Sequence, residues 1–351
     1  MRQITLKSNG KLVSEKQVKS SFSLDECLVK ISHAGICSSD IFRGFQGWAY
    51  SYPLVMGHEL SGVVEKVGGE VKSFLPGDRV AVFPLRPCFL CDQCMLNEYA
   101  RCNNYSYYGS REDGGFCDKL AVNEWNLIKI PDGVDLIDAC LIEPMSVVIH
   151  ALKNFKNTEQ LSGHMVILGA GFLGTLATKV IQKLYPKLYI SVVDRNQKKF
   201  DAIDIDSSRK FLCVNDTDWN ELITLKNSLF DYVLETTGAP NNISSSIKLC
   251  KAGGEIVLLG NVTADHMLEK NTISSILRKE IKIIGSWNSR YKSADDDWAK
   301  ALELMSAGVN PSHLISHQIQ MADIPHYLKK MFDHKMRTNE FEFTKIVAGN
   351  D

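Results

Sequence analysis

Residues 165–174 read Met165-Val-Ile-Leu-Gly169-Ala-Gly171-Phe172-Leu173-Gly174, and Leu176 to Leu184 continue as an apolar stretch of strong helix formers. The first four residues have the length and composition of a buried strand. Three glycines with this spacing permit a tight turn, a close approach to the backbone, and close packing of a helix on a strand. The stretch therefore predicts a strand, a glycine turn and a helix.

The same glycines predict a dinucleotide site, because Asp194 ends the next apolar run, 20 positions after Gly174. At that position a carboxylate can accept hydrogen bonds from both hydroxyls of an adenosine ribose. The amino end of the helix would then face the pyrophosphate. Asp194 would repel a 2′-phosphate, which favours NAD over NADP, although Arg195 beside it leaves NADP open. Glycines that only turn the chain are the alternative. The predicted NAD-binding residues are Gly169, Gly171, Phe172, Leu173, Gly174, Asp194, Arg195, Lys199 and Gly260.

Short apolar runs alternate with helical stretches from about residue 164 to residue 287. This alternation predicts an α/β fold with a parallel, doubly wound Rossmann sheet. The strand candidates are Met165–Leu168, Tyr189–Val193, Tyr232–Leu234, Ile256–Leu259 and Ile281–Ile284.

The chain before about residue 135 has a different pattern, with short alternating runs between turn signals such as Gly68-Gly69. This predicts a β-rich, barrel-type domain. Residues 137–151 are expected to form a connecting helix that Pro144 interrupts. The last sixty residues predict helices around 298–307 and 325–332 and a strand at 343–347, which return to the first domain.

Composition excludes several classes of protein. The formal net charge is −1, with 40 Lys and Arg against 41 Asp and Glu, so nucleic acid or an acidic membrane is not expected as a partner. The amino terminus lacks a secretory layout, and no apolar run approaches the roughly 20 residues that span a bilayer. We expect a cytoplasmic protein that acts on a small molecule.

The ten cysteines divide into scattered residues and one tight cluster. The cluster lies in a polar loop, which argues against four reduced core thiols. Four thiolates at this spacing close a tetrahedral zinc site with no open position, so this zinc is predicted to be structural. Its ligands would be Cys88, Cys91, Cys94 and Cys102.

A second metal site has to be assembled from separated residues, with Cys37, His58, Glu59 and Glu143 as candidates. A thiolate, an imidazole and a carboxylate form a typical catalytic zinc set, which leaves a fourth position for water or an alcohol. Taken singly, Cys37 could equally be a core residue and His58 a hydrogen-bonded histidine.

The order of Gly57-His58-Glu59-x2-Gly62-x5-Gly68, the four-cysteine lobe and the glycine fingerprint resembles the medium-chain zinc alcohol dehydrogenases. The resemblance implies a GroES-like catalytic domain over residues 1–150, with a zinc lobe at about 84–104. It also implies a Rossmann domain over 151–288 and a return segment over 289–351. Two zinc ions and NAD are the implied cofactors, and a homodimer is expected, with Ile281–Ile284 as a candidate pairing edge.

The resemblance also implies roles for single residues. Cys37, His58 and Glu143 would bind the catalytic zinc, with Glu59 able to alternate with Glu143. Asp40 would orient the ligand histidine, and Ser39 would begin the proton relay from the bound alcohol. Phe42 departs from the family pattern, which often has a relay histidine at this position, so the onward route of the proton is left open.

Three further segments resemble the polyol-phosphate branch of this family: Pro84–Phe89, Gly109–Phe116 and Ile276–Trp287. They imply oxidation of a secondary alcohol in a sugar alcohol such as galactitol 1-phosphate, with Arg43 and Arg111 as candidates to meet the phosphate. The alternatives are an unphosphorylated polyol, L-threonine or butanediol as substrate. A different alternative is a catalytically silent NAD-binding structural or redox-sensing subunit, which would bind one zinc per chain.

Overall fold

The computed structural model describes residues 1–17, 22–156, 160–226, 229–337 and 343–350. The chain divides into two compact units, one of Met1–Ser146 with Arg290–Asp351 and one of Val147–Ser289. Whether the predicted domains, residues 1–150, 151–288 and 289–351, fold independently stays a prediction. Among the described residues, no helix combines the length and the hydropathy that crossing a membrane requires.

The amino-terminal part of the first unit consists mainly of strands. Its strands are β1 (Arg2–Ser8), β2 (Lys11–Lys16), β3 (Glu26–Ile36), β4 (Leu54–Val55), β5 (Glu59–Val67), β6 (Arg79–Val82), β7 (Leu85–Arg86), β8 (Ser106–Tyr107), β9 (Lys119–Asn123) and β10 (Leu127–Lys129). Its helices are α1 (Ser38–Phe45), α2 (Asp92–Met95), α3 (Leu136–Ala139) and α4 (Ile142–Lys153), and α4 continues into the second unit.

The second unit alternates strands with helices, as its apolar runs predicted. Its elements are β11 (Gly163–Leu168), α5 (Phe172–Leu184), β12 (Leu188–Asp194), β13 (Lys210–Leu212), α6 (Asp216–Lys226), β14 (Phe230–Glu235), α7 (Pro240–Leu249), β15 (Cys250–Leu258), α8 (Lys270–Lys279) and β16 (Lys282–Gly285). The strands are all parallel in the order β13-β12-β11-β14-β15-β16. This is the order of a Rossmann sheet, and the predicted fold class is confirmed.

The chain then returns to the first unit with α9 (Asp297–Ser306), β17 (His317–Gln320), α10 (Ile324–Arg337) and β18 (Ile346–Gly349). Strand β18 pairs antiparallel with β3 and parallel with β17. The main sheet of this unit has the order β10-β6-β5-β3-β18-β17, and β9 also pairs with β3. Its core is apolar and includes Val29, Ile31, Leu60, Val80 and Ile346.

The predicted connecting helix is interrupted, because α3 ends at Ala139 and α4 begins at Ile142. The break includes Cys140, four residues before Pro144, and the proline lies in the first turn of α4, where a backbone N–H has no partner within the helix.

One prediction about local structure was wrong. The strand expected at residues 343–347 begins only at Ile346. Lys345, just before that strand, instead turns its side chain into the interior of the first unit, where it is 4% exposed.

Candidate functional site

Cys37 lies between strand β3 and helix α1, where it is the residue that precedes the first helical turn. Its backbone N–H donates to Asp40 Oδ2 at 3.0 Å, and the Asp40 N–H donates to the Cys37 carbonyl oxygen at 3.1 Å. These two hydrogen bonds close the turn. The thiol of Cys37 is therefore held at the carboxyl end of a central strand.

His58 and Glu59 lie where the chain enters strand β5, next to a glycine turn. Gly57 has a φ of +95°, and a Cβ atom at this position would lie 2.4 Å from the Phe116 ring. The Gly57 carbonyl oxygen accepts the N–H of Gly115 at 2.9 Å. Only glycine satisfies both the backbone angle and this close packing, so the motif Gly57-His58-Glu59 fixes the two side chains that follow it.

The donor atoms of Cys37, His58 and Glu59 all lie within 4.8 Å of one another. His58 and Glu59 are 5% and 1% exposed, whereas Cys37 is half-buried, so two of the three side chains are shielded from bulk solvent. One sulfur, one imidazole nitrogen and one carboxylate oxygen match the ligand types of a catalytic zinc ion. The three side chains therefore fit a zinc ion.

Glu143 lies beside this group rather than within it. It begins helix α4, is 8% exposed, and accepts a hydrogen bond from the Tyr107 hydroxyl at 3.1 Å. Burial raises the pKa of Glu143 to about 7, and the nearby charge of Glu59 acts in the same direction. The Tyr107 ring also contacts the His58 ring, with 5.8 Å between their centroids. Sequence reasoning missed Tyr107.

Asp40 connects the cluster to Arg43. Its Oδ1 atom lies 3.5 Å from His58 Nδ1 and accepts a hydrogen bond from Arg43 Nη1 at 2.9 Å. Burial opposes ionisation of Asp40, but the charges of His58 and Arg43 outweigh it and lower its pKa. Ser39 is half-buried in the first turn of the same helix. The Phe42 ring stacks on the Trp48 ring, with 4.7 Å between their centroids. A phenyl ring has no exchangeable proton, so Phe42 cannot take part in a proton relay.

Lys345 is the other residue that the sequence did not point to. Its ammonium group donates to Glu59 Oε1 at 2.6 Å and to the Ile36 carbonyl oxygen at 3.1 Å. Both side chains are buried, at 4% and 2% exposure. The only signal in the sequence is a lysine within an otherwise apolar and aromatic run.

The four-cysteine lobe brings its sulfur atoms together. The Sγ atoms of Cys91 and Cys94 are 3.6 Å apart, and those of Cys88 and Cys94 are 3.9 Å apart. A tetrahedron with zinc–sulfur bonds of about 2.3 Å has sulfur–sulfur edges of about 3.8 Å. Hydrogen bonds to its sulfur lower the pKa of Cys91 to about 6, and the largest contribution comes from the Asn103 backbone N–H. The arrangement of Cys88, Cys91, Cys94 and Cys102 therefore fits a closed zinc site.

The glycine fingerprint of the second unit has the expected local geometry. Gly169 has a φ of +110°, and a Cβ atom on Gly174 would lie 1.8 Å from the Gly169 carbonyl oxygen. Gly171 has open space beside it, and helix α5 begins at Phe172. The amino end of this helix, which carries a partial positive charge, therefore lies directly after the glycine turn.

Asp194 lies at the carboxyl end of β12, adjacent to this turn. It accepts the Ala170 N–H at 2.8 Å and forms an ion pair with Lys199 at 3.1 Å. Arg195 is exposed, and the Gly260 N–H donates to the Glu235 carbonyl oxygen at 3.0 Å. The glycine turn, Asp194 and Lys199 thus lie at one end of the parallel sheet.

The two candidate phosphate-binding arginines differ sharply. The Arg43 side chain is 12% exposed and is held by Asp40. Arg111 is exposed, and its guanidinium carbon lies 4.6 Å and 4.2 Å from the ring centroids of Tyr50 and Tyr105. Arg43 is therefore already paired with a carboxylate, whereas Arg111 is exposed to solvent.

Comparison with known proteins gives matches to two family descriptions and to several relatives. Residues 23–132 match the alcohol dehydrogenase GroES-like domain, and residues 173–307 match the zinc-binding dehydrogenase domain. Galactitol 1-phosphate 5-dehydrogenase of Escherichia coli is 31% identical over 308 residues, which are 84% of this chain and 85% of the relative. L-Idonate 5-dehydrogenase of Vitis vinifera is 28% identical over 83% of this chain and 80% of its own. The crystal structure of galactitol-1-phosphate dehydrogenase from Escherichia coli superposes with a TM-score of 0.89 at 28% identity, covering 100% of both chains.

Proposed function

This chain belongs to the zinc-dependent medium-chain alcohol dehydrogenases, a family of oxidoreductases, and we propose that it oxidises a secondary alcohol of a sugar alcohol phosphate with NAD. The observation that carries the proposal is the juxtaposition of Cys37, His58 and Glu59, whose donor atoms lie within 4.8 Å of one another.

Cys37, His58 and either Glu59 or Glu143 would hold the catalytic zinc. When bound, the ion would act as a Lewis acid that favours loss of the proton from an alcohol. Asp40 faces His58 and is itself held by Arg43, so it keeps the imidazole oriented. Tyr107 donates to Glu143 and keeps that carboxylate beside the cluster. The four-cysteine lobe would hold the second zinc in a purely structural role.

The proton of the alcohol would pass first to the hydroxyl of Ser39, two residues after Cys37. A serine hydroxyl both accepts and donates a hydrogen bond, which a relay requires. Phe42 cannot take the next step, since its side chain neither donates nor accepts a proton.

NAD would supply the hydride acceptor. The support for it is the turn from Gly169 to Gly174 together with the buried carboxylate of Asp194. Lys199 lies 3.1 Å from Asp194 and can share a ribose hydroxyl with it.

Galactitol 1-phosphate is the proposed substrate, supported by the 31% identity to the Escherichia coli relative of that name. We expect kcat/KM for this compound with NAD to exceed that for sorbitol, L-threonine and 2,3-butanediol by about 100-fold, because a bound phosphate adds charge-assisted hydrogen bonds. Steady-state kinetics across these four substrates, with NAD and with NADP, measures both preferences. Equal or better rates on the unphosphorylated compounds would reject the phosphate, and no turnover of any alcohol would reject the oxidation itself.

We further propose a homodimer formed through the edge of the Rossmann sheet. Strand β16 ends the strand order, and Ile283 on it is 38% exposed. Leu277 and Trp287, which are near it in sequence, are also exposed. An open apolar edge of this kind favours pairing with a second strand. Ile283→Lys should raise the dissociation constant by about 100-fold or more, since it would place a charge in the interface. Sedimentation of this variant against Leu225→Lys, an exposed control on α6, tests it, and a monomeric parent protein would disprove it.

A further inference from the structure

The guanidinium group of Arg111 lies over two aromatic rings, and the residue is exposed to solvent. The rings of Tyr50 and Tyr105 lie 4.6 Å and 4.2 Å from its central carbon. Its Nη1 atom donates to the Tyr105 carbonyl oxygen at 3.2 Å. Stacking covers the faces of a guanidinium plane, whereas its N–H groups point outward from the edge. We call Tyr50, Tyr105 and Arg111 the arginine shelf.

The shelf has a positive charge without a balancing carboxylate among the residues that the structure describes. The two acidic residues that follow it in sequence have other partners. Glu112 accepts from Arg86 at 2.5 Å, and Asp113 Oδ1 accepts the Val55 N–H at 2.8 Å. An arginine that is fixed in place but not neutralised is suited to an anionic ligand.

The shelf is tied to the metal-ligand cluster through the backbone. The loop that carries Arg111 donates from Gly114 to the Val55 carbonyl oxygen at 2.7 Å and from Gly115 to the Gly57 carbonyl oxygen at 2.9 Å. Gly57 directly precedes His58. The distance from the shelf to the cluster is therefore set by short hydrogen bonds rather than by a free loop.

The aromatic rings form a continuous path between the two places. Tyr105 and Tyr107 flank Ser106 in extended chain, so their rings lie on the same side of β8. Their centroids are 6.4 Å apart, and the Tyr107 ring in turn lies 5.8 Å from the His58 ring. Two ring contacts thus separate the shelf from the cluster.

We propose that the arginine shelf is the phosphate subsite of the substrate and determines the preference for a phosphorylated polyol. This inference rests on the proposed oxidation of a polyol at the Cys37, His58 and Glu59 cluster. A terminal phosphate lies several bonds from an internal secondary alcohol, which agrees with an anion site that is close to the cluster but separate from it. The planar edge of Arg111 can donate two parallel hydrogen bonds to one phosphate. Arg43 is excluded because Asp40 already holds it.

The test compares galactitol 1-phosphate with galactitol as substrates of the zinc-loaded enzyme with NAD. Arg111→Met should lower kcat/KM for the phosphorylated compound by about 10- to 100-fold, mainly through KM, and should leave the value for galactitol within about twofold. Arg111→Lys should retain part of the preference, because lysine keeps the charge but loses the planar pair of donors. Arg2→Met, an exposed arginine of the same unit, is the matched control and should behave as the parent protein.

Binding of inorganic phosphate by calorimetry separates the failure of this inference from the failure of the proposed function. We expect phosphate to bind the parent protein and to bind Arg111→Met at least about tenfold more weakly, whether or not any alcohol is oxidised. Equal phosphate affinity in both proteins would overturn the subsite, as would an equal loss of kcat/KM on galactitol and on its phosphate. Absence of turnover with a normal difference in phosphate affinity would count against the oxidation and support the subsite.

Discussion

Cys37→Ala should remove one of two zinc ions per chain and lower the rate of alcohol oxidation by about 1,000-fold or more, because the loss of a Lewis acid worth several kcal/mol raises the barrier accordingly. The thiol lies in the turn before α1, where the backbone hydrogen bonds between Cys37 and Asp40 do not involve sulfur. The fold should therefore survive. Zinc content by mass spectrometry, circular dichroism and steady-state kinetics measure the three effects.

Two cysteine variants serve as references. Cys27→Ala replaces a fully buried cysteine of β3 that belongs to neither group of candidate metal ligands among the described residues. Both zinc ions and the activity should therefore remain. Cys94→Ala removes a ligand of the four-cysteine lobe and should lose the other zinc together with thermal stability. An unchanged zinc count in Cys37→Ala would reject the catalytic site. It would favour the alternative of an NAD-binding subunit with one zinc.

Lys345→Met should lower the free energy of unfolding by about 3–5 kcal/mol, because it leaves the carboxylate of Glu59 buried without its cation. The ion pair is 4% and 2% exposed, and Lys345 also satisfies the Ile36 carbonyl oxygen. Urea unfolding of the zinc-free parent and variant measures the loss, because a zinc ion bound by Glu59 would replace the missing cation. Glu59→Gln in the same chain should recover part of it, since the remaining side chain is neutral.

An exposed pair provides the comparison for this experiment. Lys129 lies 2.9 Å from Asp78 with 56% of its side chain exposed, and Lys129→Met should change stability by less than about 1 kcal/mol. If Lys345→Met were as mild as Lys129→Met, the pair with Glu59 would not be a structural requirement of the site.

The Rossmann unit could be predicted from the sequence because its signals are local. Buried parallel strands appear as apolar runs, and the turn from Gly169 to Gly174 needs glycines for steric reasons within a few residues. The four-cysteine lobe was equally accessible, since its ligands lie within one short segment. The prediction failed for the strand expected at residues 343–347, which begins at Ile346, because the local pattern does not record that Lys345 is buried against Glu59.

The sequence by itself determined the parallel sheet, the glycine turn with its carboxylate and the four-cysteine lobe, because each is encoded by neighbours along the chain. Only the tertiary structure brought Lys345 against Glu59, 286 positions away, and Tyr107 against Glu143. It also decided that Arg43 is neutralised by Asp40, while Arg111 lies exposed over the rings of two tyrosines. Contacts of this kind depend on strand pairing between distant segments, such as β18 with β3, and no periodicity along the chain records which charges that pairing brings together.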